Sequence, residues 1–342
     1  MKLLVTGGCG FIGSHFIREV LATRKGWRIV NADLLTYAGR GRNLADLARN
    51  PRYRFVRADI AGSAMAPLLV RERPDAVVNF AAESHVDRSI LGAAPFLRTN
   101  TLGAQNLLDA ARAARVRRFV QVSTDEVYGS ISGRARARED GPLLPSSAYS
   151  ASKAAADLLC LAAHHTHGQE VVITRCTNNY GPWQFPEKLI PLMITNALVG
   201  QPLPVYGDGL QRRDWIHARD HCRGVLAALE HGRPGEIYNF GAGTEPPNLR
   251  IIHAILRLLG KPPTLIRHVK DRLGHDRRYA VDTAKARRQL GWRPRVALED
   301  GLAETVHWYR DHPAWWLRLK DSSFRTWYRK NYGGKPAISP RN

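Results

Sequence analysis

Short runs of apolar and β-branched residues alternate with amphipathic stretches through the first half of the chain. Leu3–Thr6, Arg28–Ala32, Arg54–Ala58, Ala76–Ala81 and Phe119–Ser123 read as buried strands, with Ser14–Ala22, Met65–Arg71 and Ala104–Ala114 as helices between them. Strands that alternate with helices predict a parallel, doubly wound α/β sheet, because parallel neighbours need a crossover that a helix supplies. A sixth strand, Val171–Arg175, follows the helix that carries Lys153. After Tyr180 the alternation fails and prolines at 182, 186, 191, 202 and 204 punctuate the chain. Glu236–Gly241 reads as a strand that rejoins the sheet, and 250–320 as mostly helical. The pattern predicts a nucleotide-binding core over 1–180 and 214–246. A smaller, mostly helical C-terminal substrate domain is interleaved from 181–213 and 247–328, and 329–342 form a flexible basic tail.

Between the first strand and first helix stands Thr6-Gly7-Gly8-Cys9-Gly10-Phe11-Ile12-Gly13. Glycines at 7, 10 and 13 permit a tight turn, close approach of a pyrophosphate, and close packing of helix on strand. The helix start then offers free amides to the anion. Asp33 follows the second strand, where a carboxylate accepts hydrogen bonds from an adenosine ribose and repels a 2′-phosphate. The expected cofactor is therefore NAD, on a Rossmann-type core. Asp59, after the third strand, is an expected adenine contact.

Lys153 lies four residues after Tyr149, one helical turn on, so its ammonium can sit near the phenol. A phenolate base at neutral pH needs a downward shift of roughly three units, about 4 kcal/mol, and a fixed cation is one of the few ways to supply it. Just upstream, Asp125-Glu126 within Val122–Gly129 offers an acid and a base.

The 44% hydrophobic content contains no run approaching the roughly 18 residues of a membrane span. The opening Met-Lys-Leu-Leu-Val-Thr-Gly-Gly is too short an apolar stretch for an export signal. Cys9, Cys160, Cys176 and Cys222 are scattered, with no metal spacing, so a reducing cytoplasm is expected. The net charge of +21 would suit a nucleic-acid binder, yet the arginines spread from Arg18 to Arg341. The densest patches are 134–138 and the region of Arg325, Arg329 and Lys330, and neither interleaves with aromatics as RNA-binding sheets do. No nucleic-acid or membrane partner is expected.

A Gly-x-x-Gly-x-x-Gly loop with Tyr-x-x-x-Lys resembles the extended short-chain dehydrogenase/reductase superfamily. Finer motifs resemble the dTDP-glucose 4,6-dehydratase family, from residue 3 to about 316. They are Ala81–Ser89, Ser123–Gly129, Tyr149–Lys153, Asn178–Pro182, Phe185–Pro191, Arg213-Asp214-Trp215 and Asp271–Tyr279.

The resemblance implies catalytic roles for Thr124, Asp125, Glu126, Tyr149 and Lys153, with Tyr149 taking the sugar 4-hydroxyl proton, Glu126 the C5 proton, and Asp125 protonating the departing 6-hydroxyl. It implies NAD contacts from Gly7, Gly10, Phe11, Ile12, Gly13, Asp33, Leu34, Thr36, Asp59, Ile60, Ala81, Ala82, Ser84, Thr99, Tyr149, Lys153 and Asn179. Contacts to a nucleotide-sugar substrate are implied for His85, Thr124, Asn178, Lys188, Leu189, Pro204, Val205, Tyr206, Arg213, Asn248, Asp271, Arg272, Gly274 and His275. It also implies a homodimer through a four-helix bundle, for which Leu107, Leu108, Ala111, Ala155, Leu158, Leu159 and Ala162 offer apolar positions. Leu34 stands where the family usually has lysine, Leu273 where it has proline, and Arg40-Gly41-Arg42 lengthens a loop. Three alternatives stay open: a dehydratase of another nucleotide sugar, a 4-epimerase or decarboxylase on the same fold, and an NAD-binding regulator. The Asp125-Glu126 pair favours dehydration over epimerisation, which needs no acid to expel a 6-hydroxyl.

Overall fold

The computed structural model describes residues 1–333, which contain eleven strands. They are β1 (Lys2–Thr6), β2 (Arg28–Asp33), β3 (Tyr53–Arg57), β4 (Ala76–Asn79), β5 (Arg118–Val122), β6 (Glu170–Cys176), β7 (Asn178–Tyr180), β8 (Leu203–Tyr206), β9 (Trp215–His217), β10 (Ile237–Phe240) and β11 (Ile266–Val269). Seven form one parallel sheet in the order β10-β6-β5-β4-β1-β2-β3. Because side chains alternate along a strand, Leu3 and Val5 of β1 enter one core layer and Leu4 the other. The first layer packs under the helices Phe11–Thr23 and Ala218–His231, through Phe16, Ile17, Val20, Val225 and Leu229. The second packs under Met65–Glu72, Gly103–Ala113 and Ala148–His167, through Leu68, Leu107, Leu108 and Cys160.

A separate core gathers Ile190, Leu192, Ile252, Val306, Tyr309, Trp316, Phe324 and Trp327 around the helices after residue 188. Two small parallel pairs, β7 with β9 and β8 with β11, flank it. The chain crosses over between β1 and β4, and it is at such a reversal that doubly wound sheets open a crevice at their carboxyl ends.

Two expectations change. β3 is not buried: it closes the sheet on one side, and most of its residues, including Phe55 at 39% exposure, face solvent. The expected tail from 329 is also corrected, because Arg329–Tyr332 continue the helix Ser322–Tyr332. That helix is capped by the Asp321 side chain, which accepts from the Phe324 amide, and it buries Phe324, Trp327 and Tyr328. The rest of the expected tail, 334–342, lies outside the described residues.

Candidate active site

β1 runs straight into the glycine loop. Gly7 takes φ +68°, and a Cβ there would lie 2.5 Å from the Ala81 amide nitrogen, while one at Gly13 would lie 2.4 Å from the Gly7 carbonyl oxygen. Only glycine fits this approach of strand, loop and helix. The helix Phe11–Thr23 starts with no side-chain cap and no acid in its first turn, so its leading amides are unspent. At the end of β2, Asp33 accepts from the Cys9 amide at 2.9 Å and the Leu35 amide at 2.8 Å, which hold its carboxylate at the lip of the loop. Asp59 accepts from the Ala61 amide at 2.9 Å and from Arg98 at 2.6 Å. The lengthened loop folds back on the glycines: the Arg40 amide and Asn43 Nδ2 both donate to the Cys9 carbonyl, at 2.9 and 3.0 Å. A glycine cradle, an uncapped helix start and a carboxylate after β2 fit NAD.

From this loop a cleft of about 400 Å³ extends toward the second core. All the residues expected at the cofactor line it, Leu34 and Asn179 included. So do the expected substrate contacts, except Asp271 and Gly274, which lie outside its wall. Asp271 accepts instead from His275 Nδ1 at 2.6 Å, and Gly274 takes φ +61° to turn the loop. Leu273, beside them, is 73% exposed.

The groups expected to react meet where β5 ends. Thr124 caps a 3-10 turn, Asp125–Tyr128, by accepting from the Glu126 amide at 3.3 Å. Tyr149 sits in the first turn of Ala148–His167, whose start is fixed by a reciprocal Ser147–Ser150 capping box. Burial pushes the Tyr149 phenol well up, the Glu126 and Asp125 carboxylates push the same way, and the Thr124 hydroxyl opposes them. Lys153 is not among the largest influences on Tyr149. The Lys153 ammonium donates to the Val122 carbonyl at 2.6 Å, and burial pushes it down to about 8.

Asp125 and Glu126 are adjacent but differ in surroundings. Burial, then Glu126, raises Asp125 well above the usual carboxylate range, and its Oδ2 is buried with no partner. Glu126 is raised by burial too, but Arg272, Lys188 and Arg213 all pull it down. Adjacent carboxyls in such unlike surroundings, one with an unpartnered oxygen and one among three cations, can serve as a proton donor and a proton acceptor. Further along, Lys188 donates to the Ser84 carbonyl at 2.6 Å. Arg213 lies 4.3 Å over the Tyr279 ring and donates to the Asp276 carbonyl at 2.8 Å. His85 Nδ1, Asn178 Oδ1, Asn248 Oδ1 and Arg272 Nε are buried without partners on residues of the cleft wall. Buried polar atoms are normally paired, so these mark where a polar ligand belongs.

Glu83, Asp87, Glu187, Tyr279 and Tyr332 also line the cleft and were not expected there. Four of them fall inside the motifs quoted above, so the signal for them was present; Tyr332 lies beyond the last of those motifs.

A family model described as GDP-mannose 4,6 dehydratase matches residues 4–305. A dTDP-glucose 4,6-dehydratase of Streptomyces niveus is 54% identical over 324 residues, covering 94% of this chain and 96% of that one. One from an Actinoplanes species is 51% identical over 321 residues, covering 92% and 100%. Among solved structures, a dTDP-glucose 4,6-dehydratase of Streptomyces venezuelae with NAD and dTDP bound is 52% identical. It aligns with a TM-score of 0.90 over 94% of this chain and 100% of that one.

Proposed function

This chain belongs to the GDP-mannose 4,6 dehydratase family, and from that premise we propose that it is an NAD-dependent hydro-lyase that converts dTDP-glucose to the 4-keto-6-deoxy sugar nucleotide. The observation that carries the reading is a pair of adjacent carboxyls on the cleft wall, Asp125 with a buried, unpartnered Oδ2 and Glu126 among Arg272, Lys188 and Arg213. An epimerisation has no use for such a pair.

NAD, when bound, supplies the acceptor for the C4 hydrogen, the donor that returns it to C6, and a cationic ring that favours ionisation of a nearby phenol. Gly7, Gly10, Phe11–Gly13, Asp33 and Asp59 hold it. Tyr149 takes the proton of the 4-hydroxyl, and Thr124 hydrogen-bonds the same oxygen. The resulting 4-keto group acidifies C5, and Glu126 removes that proton. Asp125 gives its proton to the 6-hydroxyl, which leaves as water, and Glu126 later returns a proton to C5. The proton gained by Tyr149 balances the one lost by Asp125, so the sum is loss of one water. Arg213 and Arg272 suit the diphosphate, which arginine grips with paired donors.

Replacing both carboxyls, as Asp125→Asn with Glu126→Gln, leaves C4 oxidation intact and blocks elimination. With dTDP-glucose the double variant accumulates reduced cofactor, read by its absorbance, and forms little product. Wild-type protein given substrate deuterated at C4 places the label at C6. Normal dehydration by the double variant, or loss of the label to solvent, refutes the mechanism. A panel of dTDP-, UDP-, GDP- and CDP-glucose tests the base.

The protein acts as a cytoplasmic homodimer. Its four cysteines are free and buried, and among the described residues no helix is long and apolar enough to cross a membrane. Leu107, Leu108 and Ala111 belong to the core under the sheet rather than to an interface, which corrects the expected set. Leu97, Leu102 and Leu158, exposed at 48%, 63% and 56%, are the apolar positions that a second copy would cover.

A further inference from the structure

The short helix Val86–Leu91 after β4 reaches the segment of Arg272 through one carboxylate. Asp87, two residues beyond His85, is 5% exposed. Its Oδ1 accepts from Arg272 at 3.3 Å and its Oδ2 from the Tyr206 hydroxyl at 3.1 Å. The Tyr206 ring packs on that of Tyr332, with centroids 5.3 Å apart, and lies 6.0 Å from the His275 ring. Tyr332 is the last residue of the C-terminal helix, and it lines the cleft. Three segments far apart in sequence therefore converge on Asp87, whose charged partner is Arg272. With one edge of its guanidinium spent on Asp87, Arg272 keeps a buried Nε with no partner. An arginine side chain carries about 2 kcal/mol of rotamer entropy. A fixed anchor removes that freedom before the ligand arrives, which is where preorganisation adds affinity.

We propose that Asp87 is a positioning residue that sets Arg272 for the diphosphate of the sugar nucleotide. Tyr332 completes the arrangement by packing on Tyr206, so the C-terminal helix takes part in substrate binding. The inference rests on the functional reading above. It differs from a purely structural ion pair in acting through Arg272, the cation assigned to the diphosphate, so its loss weakens a diphosphate ligand more than the nucleoside alone.

NAD-loaded protein titrated calorimetrically with dTDP and, separately, with thymidine tests this. Asp87→Asn weakens dTDP about tenfold, a loss of roughly 1.4 kcal/mol, and changes thymidine less than twofold. Tyr332→Ala removes the ring behind Tyr206 and weakens dTDP about threefold, again sparing thymidine. In an Arg272→Gln background, Asp87→Asn adds no further loss. Equal weakening of both ligands, additive losses in the double variant, or unchanged dTDP affinity in both single variants overturns the proposal. Wild-type protein that binds no dTDP overturns the functional reading, and this inference falls with it. Should Asp87→Asn melt early, Tyr332→Ala at the helix end still decides the question.

Discussion

Arg175 on β6 is 2% exposed and does not line the cleft, yet it joins the two segments proposed to carry the chemistry. Its Nε donates to Asp157 Oδ2 at 2.9 Å and its NH1 to the Tyr128 hydroxyl at 2.8 Å, and its guanidinium lies 4.8 Å from the Tyr128 ring centre. Asp157 is one turn beyond Lys153, and Tyr128 ends the turn that holds Asp125 and Glu126. Arg175→Met removes the cation and leaves the buried Asp157 carboxylate without its ion-pair partner, with Ser123 and Lys153 as the remaining favourable influences. Breaking one side of such a pair costs about 3–5 kcal/mol. With an unfolding entropy of about 2.1 cal/mol/K per residue, a chain of 342 residues should melt about 4–7 °C lower. Adding Asp157→Leu removes the stranded charge and recovers most of the loss, because a well-packed apolar pair of similar volume is tolerated in place of a buried ion pair.

The pH dependence follows in sign. Burial raises Asp157 above its usual value, and Arg175 is the largest opposing influence. Without Arg175 the folded form holds the Asp157 proton more tightly still, while the unfolded form releases it near pH 3.9. Stability of Arg175→Met therefore falls as pH rises above that value, and its deficit against wild type widens from pH 4 to pH 8. Calorimetric melts of NAD-saturated protein across this range measure it. A single-variant loss under 1 kcal/mol, additive losses in the double variant, or a deficit independent of pH would refute the argument.

Gly7→Ala places a Cβ 2.5 Å from the Ala81 amide nitrogen at φ +68°, so the protein should purify with little NAD, read from its absorbance at 260 against 280 nm. Full occupancy would refute the placement of the cradle. Leu102→Glu with Leu158→Glu puts charge on the exposed apolar face, and on the proposed homodimer light scattering should report a dimer for wild type and a monomer for the variant.

The cofactor end was legible because its rules are local: three glycines, a helix start and Asp33 obey spacings that depend only on the strand and turn they occupy. Tyr149 and Lys153 were legible as helix neighbours, but the partner of Lys153 was not. That partner is the Val122 carbonyl, 31 residues away across the packing of helix on sheet. The ionisation of Glu126 depends on Lys188, Arg213 and Arg272, and that of Asp125 on Arg213, which only the fold of the later half brings near. Strand β3 and the Leu107–Ala111 face failed for a related reason. An apolar run looks the same at a sheet edge, in a core or at an interface, and what covers it is decided by other segments. Tyr332 reaches the cleft through aromatic packing with Tyr206 and Trp327, which leaves no motif in the sequence.

The pairing of β10 with β6 constrains how the molecule can be made. Ile237 lies opposite Ile173, so the strand that covers the β6 edge is synthesised only after more than 60 intervening residues have emerged. At roughly 5–20 residues per second on the ribosome, that edge stays unpaired for about 3–12 seconds. Such an edge is a template for pairing with another chain, and non-local parallel pairing is slow to form. The nascent enzyme thus passes through an interval in which dilution or a chaperone governs yield, and refolding of the purified chain should fall off as its concentration rises.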